Sequence, residues 1–306
     1  MQVAVEEWQE RLESVQYVPT AEICTALALA SALEKPLLVE GPPGAGKTFL
    51  AKAVAGATGA KLVRLQCYEG IDVHQAVYEY NYGKQLLYLN ALREQVKERL
   101  NGTRSLSEAV KILDAEAPFW GDEFLVRRPL LEALLPEDGN PRVLLVDEVD
   151  RSDREFEALL LEALSEWAVS IPEYGTVRAA RKPMVFLTSN RTRELSDALR
   201  RRCLYLYLDL PNRDREAKII SAQVPGASAG FARSIAAFAA EYRKAGPRHL
   251  PSVAEVVELA MSLLLAAGEE FRAKDLVDAA AVFSKDPDDR KLLQRVAEKT
   301  VGGEVA

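Results

Sequence analysis

Residues 41–48 read GPPGAGKT and follow directly on the apolar run PLLVE at 36–40. Gly41, Gly46, Lys47 and Thr48 satisfy the spacing G-x-x-x-x-G-K-[ST]. At average composition a chain of this length meets that spacing by chance roughly once in a hundred. Here the context fits too, because a short buried strand precedes the turn and the helical pattern KTFLAKAVAGATG follows it. In such a loop the glycines let backbone N–H groups converge on phosphate oxygens, and the helix N-terminus adds its positive dipole end. Gly41, Pro42, Pro43, Gly44, Ala45, Gly46, Lys47 and Thr48 are therefore the expected phosphate-binding residues. Lys47 is expected to reach the terminal phosphates and the Thr48 hydroxyl to ligate Mg²⁺.

A phosphate loop needs partners, and the strand VLLVDEVD at 143–150 supplies acids at its C-terminal end. Asp147 is placed to hold Mg²⁺ through its water shell, and Glu148 to polarise an attacking water. Asp150 reads as a cap for the next helix. FLTSN at 186–190 ends in Asn190, which suits either a turn or the orientation of that water. LRRRC puts Arg200, Arg201 and Arg202 at a helix end. Cations are favoured there in any case, but the cluster also suits a finger reaching a neighbouring subunit's terminal phosphate.

Strands PLLVEG, KLVRLQCY, RVLLVDEVD, MVFLTSN and CLYLYLDLP alternate with helical segments, and each is apolar along its length. That pattern predicts an α/β fold with a parallel sheet covered on both faces. Thr20 is the expected N-cap of the helix TAEICTALALASALE, and VSIPEYGTVRAA at 169–180 is expected to form a β-hairpin. Residues 69–140 interrupt the alternation. They read as a helical insertion, with IDVHQAVYEYNYGKQLLYLNALREQVKERL and SLSEAVKILDA as helices and APFWGDEF as an aromatic loop. The alternating aromatics of YEYNY fit no single helix face. Beyond residue 212 only helical spacing remains. The expected division is a nucleotide-binding domain at 1–211 and an all-helical domain at 212–306.

The net charge of −7 weighs against broad nucleic-acid binding, which needs a basic surface to release counterions. Apolar runs fall short of the ~20 residues that span a bilayer. The acidic N-terminal stretch has no apolar core of a secretory signal, and Cys24, Cys67 and Cys203 are widely spaced and odd in number. A cytoplasmic protein with reduced thiols is the expectation.

Taken together, GPPGAGKT, VLLVDEVD, LTSN and LRRRC, followed by a helical C-terminal region, resemble the Walker A, Walker B, sensor 1, finger and lid segments of an AAA+ ATPase. The resemblance runs from about residue 15 to about 285. Within that superfamily the hairpin VSIPEYGTVRAARKP is similar to the β-hairpin insertion of the MoxR group. RLQCYEGIDVHQAVYEYNYGKQLL and FLVRRPLLEALL are most similar to its CoxD-type branch.

The resemblance implies ATP and Mg²⁺ as cofactors and a homo-oligomer, a hexameric ring. It also implies a von Willebrand A-domain partner and a client metalloenzyme such as a molybdenum hydroxylase. Catalysis would then fall to Glu148 and Asn190, with Arg202 as the finger and Arg201 second. Tyr17 and Val18 lie where such proteins close over adenine, although an aromatic there also suits the core. The sensor 2 arginine of the family is replaced by Ser252, for which Arg248 is the candidate substitute if it is not a solvated loop charge. Phe119 and Trp120 either grip a substrate or pack on the sheet. A nucleic-acid motor or restriction-type NTPase of the same fold and a P-loop small-molecule kinase are the competing classes.

Overall fold

The computed structural model describes residues 4–100, 120–280 and 286–301, with 92–100 described as helix backbone. Its centre is a five-stranded sheet of β1 (Leu37–Glu40), β2 (Lys61–Gln66), β5 (Arg142–Asp147), β8 (Met184–Ser189) and β9 (Leu204–Tyr207). The order is β2-β5-β8-β1-β9, and every pairing is parallel. A parallel ladder needs a crossover between neighbours, which the intervening helices provide.

Strand alternation divides the sheet's side chains between two cores. Leu37, Val39, Val143, Leu145, Phe186 and Leu206 pack under the helices Val5–Ser14, Ala21–Leu33 and Lys47–Thr58. Leu38, Val63, Leu65, Leu144, Val146, Val185 and Leu187 face the opposite layer, which includes the helix Arg154–Glu166. Burying one such side chain contributes about 1.5–3 kcal/mol, so both faces hold the sheet firmly. Thr20 caps the helix Ala21–Leu33, its side chain accepting from the Ile23 N–H at 3.3 Å.

The segment 69–140 differs from the expectation of helices and an aromatic loop. Tyr78–Tyr80 is strand β3, paired antiparallel with β4 (Leu125–Arg127) in the register Tyr78↔Arg127 and Tyr80↔Leu125. Tyr78 and Tyr80 are buried and Glu79 is exposed, the two-residue period of a strand. Helices Val73–Ala76, Tyr82–Leu100 and Pro129–Leu134 complete the described part. The stretch SLSEAVKILDA and Phe119 lie outside the described residues. Trp120 is 40% exposed and meets Tyr80 edge-to-face at 4.9 Å.

The expected hairpin is present as β6 (Ala168–Ile171) and β7 (Gly175–Arg178), paired antiparallel. It joins the insertion through Tyr80 Oη donating to the Pro172 carbonyl at 3.2 Å and Tyr174 Oη donating to Asp122 at 2.9 Å.

After β9 come the helices Arg213–Gln223, Ala229–Lys244, Val253–Ala267, Ala273–Ala280 and Asp289–Val301. They share a core of their own, centred on Ile220, Ile235, Ala260 and Leu263. Arg243 fastens it from inside with two bonds to Glu216, at 2.7 and 2.8 Å, and a third to the Pro251 carbonyl. Burial raises the Glu216 carboxyl above its usual value, and the Arg243 guanidinium opposes that rise.

Candidate nucleotide site

The C-terminal ends of β1, β5 and β8 lie side by side, which brings the 41–48 loop, Asp147–Glu148 and Asn190 together. Crevices outside the carboxyl ends of parallel strands are the usual ligand sites of such sheets. A cavity of about 680 Å³ opens here, lined on one side by residues 43–48, Asp147, Glu148, Thr188 and Asn190. Residues of the C-terminal helices line the other side, including Ile219, Ser252, Val257 and Met261.

The loop's path is set by two close approaches. A side chain at Gly41 would meet the Leu208 carbonyl oxygen at 2.0 Å. Gly44 has φ +79°, and a Cβ there would lie 2.4 Å from the Cβ of Ser252. The N–H of Val253, the first residue of its helix, donates to the Gly44 carbonyl at 3.1 Å. The C-terminal helices therefore touch the loop directly, through backbone and a small side chain.

Lys47 is 7% exposed, and its ammonium donates to the carbonyls of Gly41 (2.7 Å) and Pro42 (2.9 Å) and to Asn190 Oδ1 (2.7 Å). Burial pushes its pKa below the usual ammonium value, while Asp150, Asp147 and Glu148 pull it back. The Thr48 hydroxyl donates to Asp147 Oδ1 at 3.0 Å, and the Thr188 hydroxyl reaches the same oxygen at 2.5 Å.

Glu148 sits in a left-handed backbone conformation, φ +56°, with its N–H donating to Thr188 Oγ1 at 2.9 Å. A non-glycine residue there is uncommon and marks a position the surroundings hold in place. Its carboxylate accepts from Gln66 Nε2 (3.1 Å) and Asn190 Nδ2 (3.4 Å) and pairs with Arg151 at 3.2 Å.

Tyr17 and Val18 line the same cavity, so these two expected residues do converge with the loop. Tyr17 is buried with its ring 5.7 Å from that of Phe49, and burial pushes its hydroxyl up to about 12. Arg215 donates to the Val18 carbonyl at 3.2 Å. Phe49, Val18, Ile219, Val257 and Met261 make this end apolar, which suits a flat ring better than a phosphate.

Other expected residues lie elsewhere. Arg201 and Arg202 are exposed in the last turn of the helix Asp197–Arg202, away from the cavity lining. Arg248 is a correction: it pairs with Asp286 at 3.0 Å and Asp288 at 2.9 Å and does not line the cavity. Ser252 lines it instead.

Asp150 is a second correction, since Asp153 caps the helix Arg154–Glu166. Asp150 accepts from the N–H groups of Asn190 and Thr192 and from the Thr192 hydroxyl, at 3.2, 2.9 and 2.6 Å. Burial alone would raise its carboxyl, but these bonds outweigh it and leave the pKa below the ordinary value. Its task is to hold the loop that presents Asn190.

Sequence reasoning missed Arg64 and Gln66. Register places Gln66 opposite Asp147, and Arg64 two residues back shares its face. Arg64 binds Asp147 Oδ2 through Nε at 3.0 Å and Nη2 at 2.6 Å. The one available signal was the alternation in KLVRLQ, which sends two polar side chains to one face of a strand.

A hard cation fits the Thr48 hydroxyl and Asp147 carboxylate. Among the described residues no group of three or more His, Cys, Asp or Glu could hold a metal unaided. That combination matches Mg²⁺, which takes one or two carboxylates and completes its shell with water and substrate phosphates.

One solved structure similar to this chain is a RuvB mutant from Thermotoga maritima. It is 18% identical with a TM-score of 0.47, over 99% of this chain and 82% of that one. Among the described residues no helix is long and apolar enough to cross a membrane. The family profile of the AAA domain (dynein-related subfamily) matches residues 36–203. That span covers more than half of the 306 residues and includes the loop, both acids and Asn190. With its P-loop, parallel sheet and helical C-terminal region, the chain belongs to the AAA family, in the dynein-related subfamily.

Proposed function

We propose that this protein hydrolyses ATP and uses the energy to remodel a partner protein, as a chaperone of the MoxR type. The observation that carries the chemistry is one connected circuit at the strand ends. Lys47 holds Asn190 and Asn190 reaches Glu148, whose N–H donates to Thr188, while Thr188 and Thr48 both bind Asp147. An ammonium, a hydroxyl next to a buried carboxylate and a second, half-exposed carboxylate are the groups that phosphoryl transfer to water requires.

In this reading the loop amides and Lys47 bind the phosphates, and the apolar end around Tyr17, Val18 and Phe49 holds the base. Mg²⁺, held by Thr48 and Asp147, would neutralise charge on the β- and γ-phosphates. Glu148 accepts a proton from the attacking water while Asn190 orients it. Arg202, with Arg201 beside it, is exposed and so available to a neighbouring copy's γ-phosphate. In this reading the working unit is a homo-oligomeric ring, hexameric by the family resemblance.

The load is a protein client. The sequence of the hairpin β6–β7 resembles the insertion of the MoxR group, and the CoxD-like segments favour a role in maturing a metal-cofactor enzyme beside a von Willebrand A-domain protein. The three free thiols suit work in the cytoplasm. The test is ATP turnover by the purified protein with and without nucleic acid and with an unfolded or apo-metalloenzyme client. Phosphate release stimulated by the protein client and indifferent to DNA is the expected result. DNA stimulation, or transfer of the phosphate to a metabolite, would contradict the proposal.

A further inference from the structure

The edge of the sheet at β2 carries a cation with no part in the motif chemistry. Arg64 places both Nε and Nη2 on Asp147 Oδ2, at 3.0 and 2.6 Å, and Nη2 also donates to Gln66 Oε1 at 2.5 Å. The other oxygen of Asp147, Oδ1, is engaged by Thr188 at 2.5 Å and Thr48 at 3.0 Å. Asp147 is 2% exposed, and a carboxylate that deep needs a partner for its charge.

The pairing is lopsided. The Asp147 side chain is 3% exposed whereas that of Arg64 is 50% exposed, and among the described residues β2 is the edge strand of its sheet. The guanidinium can therefore turn out into water at small desolvation cost, while the carboxylate cannot follow. Asp147 is also the carboxylate that a divalent cation needs at this site. A guanidinium and a divalent ion on one carboxylate repel each other, so each weakens the hold of the other.

We infer that Arg64 is a resident counter-cation of Asp147, which an incoming divalent ion must push aside, so that this residue sets how much magnesium the site demands. The inference rests on the reading of the cavity as a Mg²⁺–ATP site. Arg64 touches neither substrate nor reacting atoms and is a positioning residue. Its charge keeps the buried acid neutralised and in place between nucleotides, at the cost of metal affinity.

The experiment is a fluorescent, non-hydrolysable ATP analogue titrated onto the full-length protein over a series of magnesium concentrations. Wild type, Arg64→Gln and Arg64→Lys are compared. Removing one positive charge beside the site should lower the half-saturating magnesium concentration about tenfold in the Gln variant, with the Lys variant between it and wild type. A second readout needs no nucleotide: magnesium alone should raise the melting temperature of Arg64→Gln more than that of wild type.

An unchanged or higher magnesium demand with analogue binding intact would overturn the role of Arg64 and leave the nucleotide site standing. If wild type binds no analogue at any magnesium concentration, the nucleotide reading falls and this inference with it. Should Arg64→Gln not fold, Arg64→Met, equally uncharged and of similar length, takes its place: a fall of several-fold supports the inference and none overturns it.

Discussion

The Lys47 ammonium donates to Asn190 Oδ1 at 2.7 Å, a contact between residues 143 positions apart. It ties the end of β8 to the loop after β1, and the same amide reaches Glu148 through Nδ2 at 3.4 Å. Replacing Asn190 by Ala removes both bonds without opening the core. Turnover of ATP should drop by roughly 10²–10³, the usual effect of losing one group that acts in the transition state, with a far smaller change in ATP affinity. Steady-state phosphate release and equilibrium binding, measured side by side, check this.

Glu148→Gln keeps the shape and a hydrogen-bonding end but loses the proposed base. Hydrolysis is expected to slow by about 10²–10⁴-fold while ATP remains bound. Trapping of unhydrolysed nucleotide on the variant is the direct readout, and wild-type phosphate release would remove Glu148 from its role.

Gly44→Ala tests the contact between the loop and the C-terminal helices. The added Cβ would lie 2.4 Å from Ser252 Cβ and 2.7 Å from its Cα, on a backbone already at φ +79°. A loss of about 1–3 kcal/mol of stability is expected from strain and clash together. Adding Ser252→Gly removes the nearer of these atoms together with the hydroxyl that caps the helix, so the double variant should lose less stability in chemical denaturation than the two single losses summed. Full additivity would show that the two residues are not coupled.

Asp150 gives a pH dependence. Its folded-state carboxyl lies below the unfolded value of 3.8, held down by Thr192 and Asn190 against the effect of burial. A depressed acid contributes stability that is fully present above the unfolded value and is lost as pH falls through the folded one. Wild type should therefore lose stability below about pH 3.8 more steeply than Asp150→Asn, which has already lost that contribution at neutral pH. Acid unfolding followed by circular dichroism at a series of pH values measures the difference.

Much of the site was legible because its chemistry is local. GPPGAGKT combines a tight turn, a helix start and the side chains expected to bind phosphate in eight residues, and VLLVDE announces a buried strand that ends in acids. The five strands of the parallel sheet were readable for the same reason: β1, β5 and β8 are apolar almost throughout, and β2 and β9 alternate with the two-residue period of a strand. What escaped depends on contacts distant in sequence. Tyr78–Tyr80 becomes a strand by pairing with Leu125–Arg127, and three alternating residues are too short a signal against the helical pattern around them.

Arg64 and Gln66 joined the site through their register with β5, some eighty residues on. Ser252 met Gly44 through the packing of a whole helix, which no spacing reveals. Asp150 looked like a cap because an acid just before a helix usually is one. Asp153, three residues later, took that position and freed Asp150 to hold the Asn190 loop.

The proposed sharing of each site between two copies is tested most directly by mixing two inactive variants. Glu148→Gln retains Arg202, and Arg202→Ala retains Glu148, so a mixed ring contains some seams with both groups intact. Each variant alone should bind ATP without appreciable turnover, and mixing them should restore phosphate release in proportion to the mixed seams formed. Turnover by Arg202→Ala alone at the wild-type rate, or no recovery on mixing in rings shown to contain both variants, would contradict it.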